Sequence, residues 1–550
     1  MLAATMASII PLAMLTTSAN AETESAPIVL AAPNGIPGVA PLPFTGVKAP
    51  AFTTPATMGN LTVTPNQGVE GVPVTITGTG LSANTAIALT WSTADGNWLV
   101  DVAPSTVNYR GASYSKYHVI MANVTTDASG NFSYSMKAPR DWGGIKDIYA
   151  VQNGIAVAKG GFVMTRTVSI SPTSGPIGTP ITITYTSMGP TLYTGGASVL
   201  YDNAHAGSIM SQWTRGTGKV VIRASGAKGK HYIEVKDAIG IAYLNIVQSP
   251  VPYANGGLAV FTVTKDNGPP APYIKWPAQV VPTVTQRTTL SAAGLDPMTK
   301  AVATLSATSG PIGSKVMLNV TGLISTGVHS LKWASVVGNR VNCGTGGGCW
   351  DYVYLPLGEA SATDGKLSQE ITIPDNLGGW HVIQVMKGDK IQAQESFYVK
   401  VSIVPFYDKK GKVISMGLAT VNNSSTLEAI AVGQSGVGSN TFKAGEEFTI
   451  SIKGGGWTQL DNTFAVTYDN SYIGYGCSFN SNGYTVFKLR ATGAPGTHII
   501  DLYPLLYTHQ PSFTKTPYGM LPVLSSDRDF PGLALGYQVP TLHFAITITK

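Results

Sequence analysis

Apolar and polar residues alternate with a period of two along much of the chain, as in Val72-Pro73-Val74-Thr75-Ile76-Thr77 and Phe448-Thr449-Ile450-Ser451-Ile452. That period puts every second side chain on the same face of an extended strand, so it predicts half-buried β-strands. The runs are short and bounded by Gly, Pro, Asn and Asp, the residues that turns require. No long stretch carries the 3.6-residue period of an amphipathic helix.

The alternation recurs four times. Leu61-Thr62-Val63 leads through Pro65 and Gly68 to Val72–Gly78, and Val168-Ser169-Ile170 leads through Ser174-Gly175-Pro176-Ile177-Gly178 to Ile181-Thr182-Ile183. Ser309-Gly310-Pro311-Ile312-Gly313 leads to Val316–Val320, and Leu427–Val432 passes through Gly436 and Gly445 to Phe448–Ile452. Each copy continues to a strand ending in an aromatic: Trp91, Tyr201, Trp333 or Tyr468. A second signature follows at Gly144-Ile145-Lys146, Gly229-Lys230-His231, Gly379-Trp380-His381 and Gly496-Thr497-His498, and a last strand carries Phe162, Phe261, Phe397 or Phe544. About seven short strands per ~100 residues, with a turn every 8–12, predict an all-β chain of four tandem immunoglobulin-like β-sandwich domains.

The expected boundaries are 58–166, 167–265, 301–400 and 401–550. Residues 22–57 are Ala/Pro-rich and read as an extended linker or a strand donated to a neighbouring subunit. Residues 266–300, with Pro269, Pro270, Pro272, Pro277 and Pro282, read as a semi-rigid spacer.

The Ser-Gly-Pro-Ile-Gly turns, the Asp-x-Gly turns and the Gly-x-His signature resemble the IPT/TIG-like and related immunoglobulin-like repeats of bacterial and archaeal surface proteins of the S-layer or filament type. The resemblance covers the chain from about residue 58. It implies a β-sandwich fold and a role as spacer, adhesive module or lattice subunit, functions that such a fold hosts alike.

Composition narrows the function classes. Charged residues make up 12% of the chain and the net charge is +6, without a basic run interleaved with aromatics, which argues against nucleic acid as a partner. Residues 1–21 carry an apolar stretch through Ile9, Ile10, Leu12, Met14 and Leu15, then Ala19 and Ala21 in an A-x-A pattern, and are expected to form a signal peptide, although no positive n-region precedes them. No segment is apolar enough to span a bilayer. The expected location is therefore secreted, at the cell surface, with copies of the same chain as partners through the end domains and other surface proteins or glycans as further ones.

Cys343 and Cys349 bracket a Gly-rich loop and are expected to form a disulfide in an exported protein, leaving Cys477 over. Metalloprotease, hydrolase, phosphate-loop and dinucleotide motifs are lacking, so neither an enzyme nor a cofactor is expected. His231, His381 and His498 recur at one repeat position, which favours structural roles. Asp202-Asn203 and Asp469-Asn470 read as hairpin turns, and no dense Asp cluster offers calcium its six or more oxygens.

The fourth repeat carries an aromatic insertion between Leu502 and Thr541. Tyr503, Tyr507, Phe513, Tyr518, Phe530 and Tyr537 either anchor a subunit contact or fold over their own sandwich. Tyr109, Tyr114 and Tyr117 are a lesser candidate of the same kind. N-glycosylation sequons stand at Asn60, Asn123, Asn131, Asn319, Asn422 and Asn423. The function that fits is a structural surface protein assembling into a lattice or filament; an adhesin or glycan-binding protein is the alternative.

Overall fold

The computed structural model describes residues 28–32, 39–103, 106–191, 194–237, 240–242, 244, 256–266, 294–339, 349–403, 441–458, 461–478, 482–508, 519–524, 529–535, 537 and 541–550. It shows an all-β chain of successive sandwiches, with one helical turn at Pro531–Ala534 among the described residues. Cys343, Phe513, Tyr518, Asn422 and Asn423 lie outside the described residues, as do residues 1–27.

In the second sandwich a three-stranded sheet (Thr167–Ser171, Pro180–Thr186, Gly218–Arg223) faces a five-stranded one ordered Ser174–Gly175, Gly257–Val263, Gly229–Asp237, Gly196–Tyr201, Ala204–Met210. The third repeats this plan, with Gly327–Asn339, Cys349–Ala362, Gly379–Lys387 and Lys390–Val399 in its larger sheet. The fourth repeats it with Thr463–Tyr468, Ser471–Cys477, Gly496–Thr508 and Leu542–Thr549. In the first, strand Gly59–Thr64 pairs with both Pro73–Gly78 and Ile155–Met164, joining its strands into one nine-stranded sheet.

The Pro/Gly turns are where the chain changes sheets. Thr167–Ser171 pairs antiparallel in the smaller sheet, and past Pro172 the segment Ser174–Gly175 pairs parallel with Thr262 and Val263 of the other. Ser309 and Gly310 pair in the same way with Tyr398 and Val399, and Gln67 and Gly68 with Val163 and Met164. Gly178 and Gly313 complete the turn at φ +85° and +81°, conformations open to glycine at no steric cost.

Each central strand carries a β-bulge just before its aromatic, between Leu89/Thr90, Val199/Leu200, Leu331/Lys332 and Val466/Thr467. The bulge bends and twists the strand, and Trp91, Tyr201 and Trp333 end up buried beside Phe162, Phe261 and Phe397. Burying side chains of this size contributes roughly 1.5–3 kcal/mol each, so they anchor the three cores.

Past the aromatic, the sandwiches divide into two kinds. In the second and fourth the chain turns at once, at Asp202-Asn203 (φ +49° and +68°) and Asp469-Asn470 (φ +49° and +64°). Two successive positive φ values make the two-residue hairpin whose twist matches its strands, which is why Asp-Asn stands there. In the first and third the strand runs on into long hairpins, Ala86–Ala103 with Thr106–Thr125 and Gly327–Asn339 with Cys349–Ala362.

The described part of residues 22–57 packs on the first sandwich and also reaches Trp213 of the second, whose Nε1–H donates to Leu30 O (3.2 Å). Ile28–Leu30 pairs with Trp98–Val100, the Ile120 N–H donates to Val47 O (3.0 Å), and the Ala49 N–H donates to His118 O (2.8 Å). The donated-strand reading thus has its counterpart inside one chain. At the third sandwich the position of Ile120 is taken by Pro356, which pairs with Lys332 as Ile120 does with Thr90. Proline has no N–H to offer there, which blunts that edge against strand addition.

Candidate functional site

The described residues contain no group of three or more His, Cys, Asp or Glu placed to hold a metal ion, and no helix long and apolar enough to cross a membrane. Chemistry-bearing side chains gather instead at one recurring position and at the junctions between sandwiches.

The recurring position is the third residue of the Gly-x-His signature. His231 Nε2 meets Ala227 O at 2.7 Å, His498 Nε2 meets Ala494 O at 2.8 Å, and His381 Nε2 meets Leu377 O at 2.9 Å. Nδ1 of His231 and of His498 faces the hairpin carboxylates Asp202 (2.5 Å) and Asp469 (2.6 Å), whose other oxygens accept the Tyr232 and Ile499 N–H groups. Burial alone would lower the His498 pKa, but the Asp469 carboxylate outweighs it and holds the pKa above the ordinary value. His381 is fully buried, stacks on Trp333 at 4.4 Å and is pushed down by that burial. These histidines tie a turn to a hairpin and leave no nitrogen free for catalysis.

In the first sandwich the same position is Lys146. Its Nζ lies 2.9 Å from Asp141, whose carboxylate also accepts Trp91 Nε1–H (2.8 Å) and Thr93 Oγ1–H (2.7 Å). Burial lowers the Lys146 pKa against the opposing pull of Asp141. At the third sandwich the carboxylate's counterpart is Asn376, bonded to Ser335 as Asp141 is to Thr93. The ion pair of Lys146 with Asp141 thus stands where the third sandwich has His381, bonded to backbone carbonyls, and Asn376.

The first sandwich joins the second as the third joins the fourth. The Gly143 N–H donates to Met188 O (2.8 Å) and the Met188 N–H to Gly216 O (2.9 Å). Correspondingly, the Gly378 N–H donates to Gly455 O (2.8 Å) and the Gly455 N–H to Gly483 O (3.1 Å). A Cβ on Gly143 would overlap the Ser187 carbonyl, and one on Gly378 the Gly454 carbonyl, so both positions admit only glycine. The chain is therefore built as two copies of a two-sandwich unit.

The two units meet through the second and fourth sandwiches. Arg223 enters the outer face of the fourth sandwich and donates from Nη2 to Asp501 Oδ1 (2.5 Å) and Phe544 O (2.6 Å), with neither ionic side chain exposed to solvent. His543 Nδ1 contacts the same Asp501 oxygen at 2.7 Å. Burial would raise the Asp501 pKa, but Arg223 and His543 together hold it below the ordinary carboxylate value. Asn470 Nδ2 donates back to Arg223 O (2.7 Å) and Ser225 Oγ (2.9 Å). Around this polar centre Ala465, Ile499, Tyr503, Leu505 and Leu524 join the core of the second sandwich.

A second buried carboxylate closes a three-way junction. Asp529 accepts Trp98 Nε1–H (2.8 Å) from the first sandwich and the Trp213 N–H (3.1 Å) from the second. Burial pushes its pKa up to about 7, against the lowering effect of these donors.

The aromatic insertion supplies these junctions. Tyr503, Phe530 and Tyr537 are buried within the chain, so they are unavailable to anchor a second subunit. The reason is economy of apolar surface: the long hairpin of the first sandwich presents Trp98, Val100 and Tyr109, which the insertion covers in one shared core. Tyr507 lies in strand Gly496–Thr508, its side chain outside the described residues. Tyr114 packs edge-on against Trp142, and Tyr117 Oη donates to Asp95 (2.7 Å). Cys349 begins a strand, but its side chain, like Cys343, lies outside the described residues. Cys477 is a free, half-buried thiol against the cluster of Val336, Leu377 and Trp457. Among the sequons, Asn60, Asn123 and Asn319 are exposed and Asn131 is half-buried in its turn.

No protein-family model matches the chain, and no curated protein does. Among solved structures it is similar to an alpha-2-macroglobulin of E. coli (8% identity, 88% of this chain and 30% of that one, TM-score 0.16). Two others are the bacterial integrin-binding protein invasin (12%, 89% and 79%, 0.17) and the Escherichia coli adhesin FdeC (12%, 64% and 99%, 0.14). The chain spans about a third of the length of the alpha-2-macroglobulin. At these identities and TM-scores the similarity carries no argument about function.

Proposed function

We propose that the protein is a secreted, non-enzymatic structural component of a cell surface that assembles with copies of itself. The observation that carries this reading is the way its sandwiches are joined. A flexible string of spacers would link them through exposed connections, whereas here Arg223–Asp501, Asp529 and the paired glycine contacts are buried as deeply as a domain core. Such junctions fix the geometry between sandwiches, which a repeating lattice or filament requires and a catalyst does not. Two of the buried carboxylates, Asp501 and Asp529, bind neighbouring sandwiches together.

Negative-stain microscopy of the purified full chain tests this directly. Sheets or fibres are the expected result. Monodisperse single particles at every concentration would overturn it in favour of an adhesin, for which exposed tyrosines such as Tyr232, Tyr354 and Tyr475 on three different sandwiches would be the candidate contacts.

A further inference from the structure

We infer that copies of the chain bind head to tail, the outer face of the second sandwich of one copy covering the open side of the fourth sandwich of the next. This rests on the self-assembly reading above.

Within one chain, the fourth sandwich lays the outer face of its larger sheet on the side of the second. The face presents Ile499, Asp501, His543 and Ala545; the side presents Arg223, Ser225, Ala206 and Ser208, whose carbonyl accepts the Leu524 N–H at 3.0 Å. Arg223 meets Asp501 rather than its own counterpart, so the contact is heterologous: a face against a side. Two sandwiches of one kind offer two faces and two sides; the chain uses the face of the fourth and the side of the second, with Tyr472 at the start of the fourth's edge strand packed against His205, ring centroids 6.4 Å apart.

The unused pair follows from strand register. Asp501 lies opposite Thr467 and His543, and Glu234 lies correspondingly opposite Leu200 and Leu258, so Glu234 is the counterpart of Asp501. Tyr232, Leu258 and Val260 then stand where Ile499, His543 and Ala545 stand, and they are 50%, 58% and 37% exposed. On the other side, Arg490 follows Gly445 and precedes Ala491 in the ladder as Arg223 relates to Gly178 and Ala224. Ile473 and Tyr475, the counterparts of Ala206 and Ser208, are 51% and 47% exposed.

The free face therefore carries an acid, Glu234, held on the surface by Lys236 at 3.2 Å and flanked by Tyr232, Leu258 and Val260, and the free side carries an arginine beside apolar side chains. These are the charge signs, at the register positions, of the buried Asp501–Arg223 contact. Arg490 is held meanwhile by Glu447 at 2.9 Å on the surface, an exposed pair of small worth that docking can exchange. A heterologous contact that does not close on itself propagates, which gives a filament from one kind of chain.

The test is a sedimentation and light-scattering series on the full chain and three variants. Wild type is expected to assemble. Glu234→Arg and Arg490→Glu are each expected to raise the concentration of half-assembly by at least about tenfold, since like charges meeting across an interface cost several kcal/mol. The double variant is expected to return to within about threefold of wild type. Both residues are solvent-accessible, so melting curves should coincide; Glu234→Gln and Arg490→Gln repeat the test should a reversal disturb folding. Single variants assembling like wild type, or a double variant that fails to recover, would overturn this contact while leaving self-assembly standing. A wild-type chain that never assembles would sink the self-assembly reading itself.

Discussion

The second and fourth sandwiches share a hairpin, a histidine clasp and a tyrosine whose hydroxyl bonds the same strand end, Tyr201 to Ser225 O (2.8 Å) and Tyr468 to Thr492 O (2.7 Å). They differ in what lies over the larger sheet. In the second, the outer positions hold Tyr232, Glu234, Leu258 and Val260 and face solvent; in the fourth, Ile499, Asp501, His543 and Ala545 occupy them and are buried. Burial came with shorter side chains at three of the four positions, which let the second sandwich approach, and with a paired acid and imidazole that meet an incoming arginine. The same framework thus serves as a free surface or as a core, decided by four outward positions.

Removing Arg223 should break the comparison most severely. Arg223→Met would leave Asp501 buried with His543 and the more distant Tyr503 hydroxyl (3.4 Å) beside it, and losing one partner of a buried pair costs about 3–5 kcal/mol. Arg490→Met, at the equivalent exposed position, should cost less than about 1 kcal/mol. Urea unfolding of both variants gives the contrast; equal losses would mean the buried pair does not hold the units together.

Next come the two glycine junctions. Gly143→Ala and Gly378→Ala each force a methyl into a neighbouring carbonyl, an overpacking worth about 1–3 kcal/mol. If the chain is two copies of one unit, both should open their junction to limited proteolysis to a similar extent. At the Lys146–Asp141 pair, Lys146→His alone should destabilise by a few kcal/mol, and adding Asp141→Asn should recover most of it, because the third sandwich already combines His381 with Asn376.

Asp529 gives a smaller, pH-dependent effect. Its folded-state pKa is raised, so its stabilising contribution is complete below the ordinary carboxylate range and is lost as pH rises through about 7. His381 and His543 are pushed down by burial and act in the opposite sense, losing stability as pH falls below the ordinary imidazole value. Melting curves at pH 5 and pH 8 should therefore show Asp529→Asn gaining on wild type at the higher pH. A constant difference between the two proteins would show that Asp529 does not titrate in the fold.

The strands, turns and repeated aromatics were legible because they obey local rules: alternation, Pro/Gly turns, Asp-Asn hairpins. The Gly-x-His position was visible as a repeat, though Lys146 stood in the first copy without its meaning, since its partner Asp141 became apparent only in three dimensions. The junction chemistry was not legible for the same reason. Two local signals were nonetheless present. Val221 puts an apolar residue on the outward face of Gly218–Arg223 beside Arg223, and Ile499–Tyr503 is apolar on both faces apart from Asp501, the pattern of a strand covered twice. The insertion's aromatics advertised burial but not against what, and the shared core with Trp98 and Tyr109 depends on a hairpin some four hundred residues earlier in the chain.

The crossing of the entering strand between sheets also bears on how the protein carries load. Ser174–Gly175, Ser309–Gly310 and Thr441–Lys443 run parallel to the strand by which each sandwich is left. Pulling the two ends of a sandwich apart slides such neighbours lengthwise, so their hydrogen bonds are strained together rather than unzipped in turn. Tension along the chain would thus meet its resistance at the Pro/Gly turns.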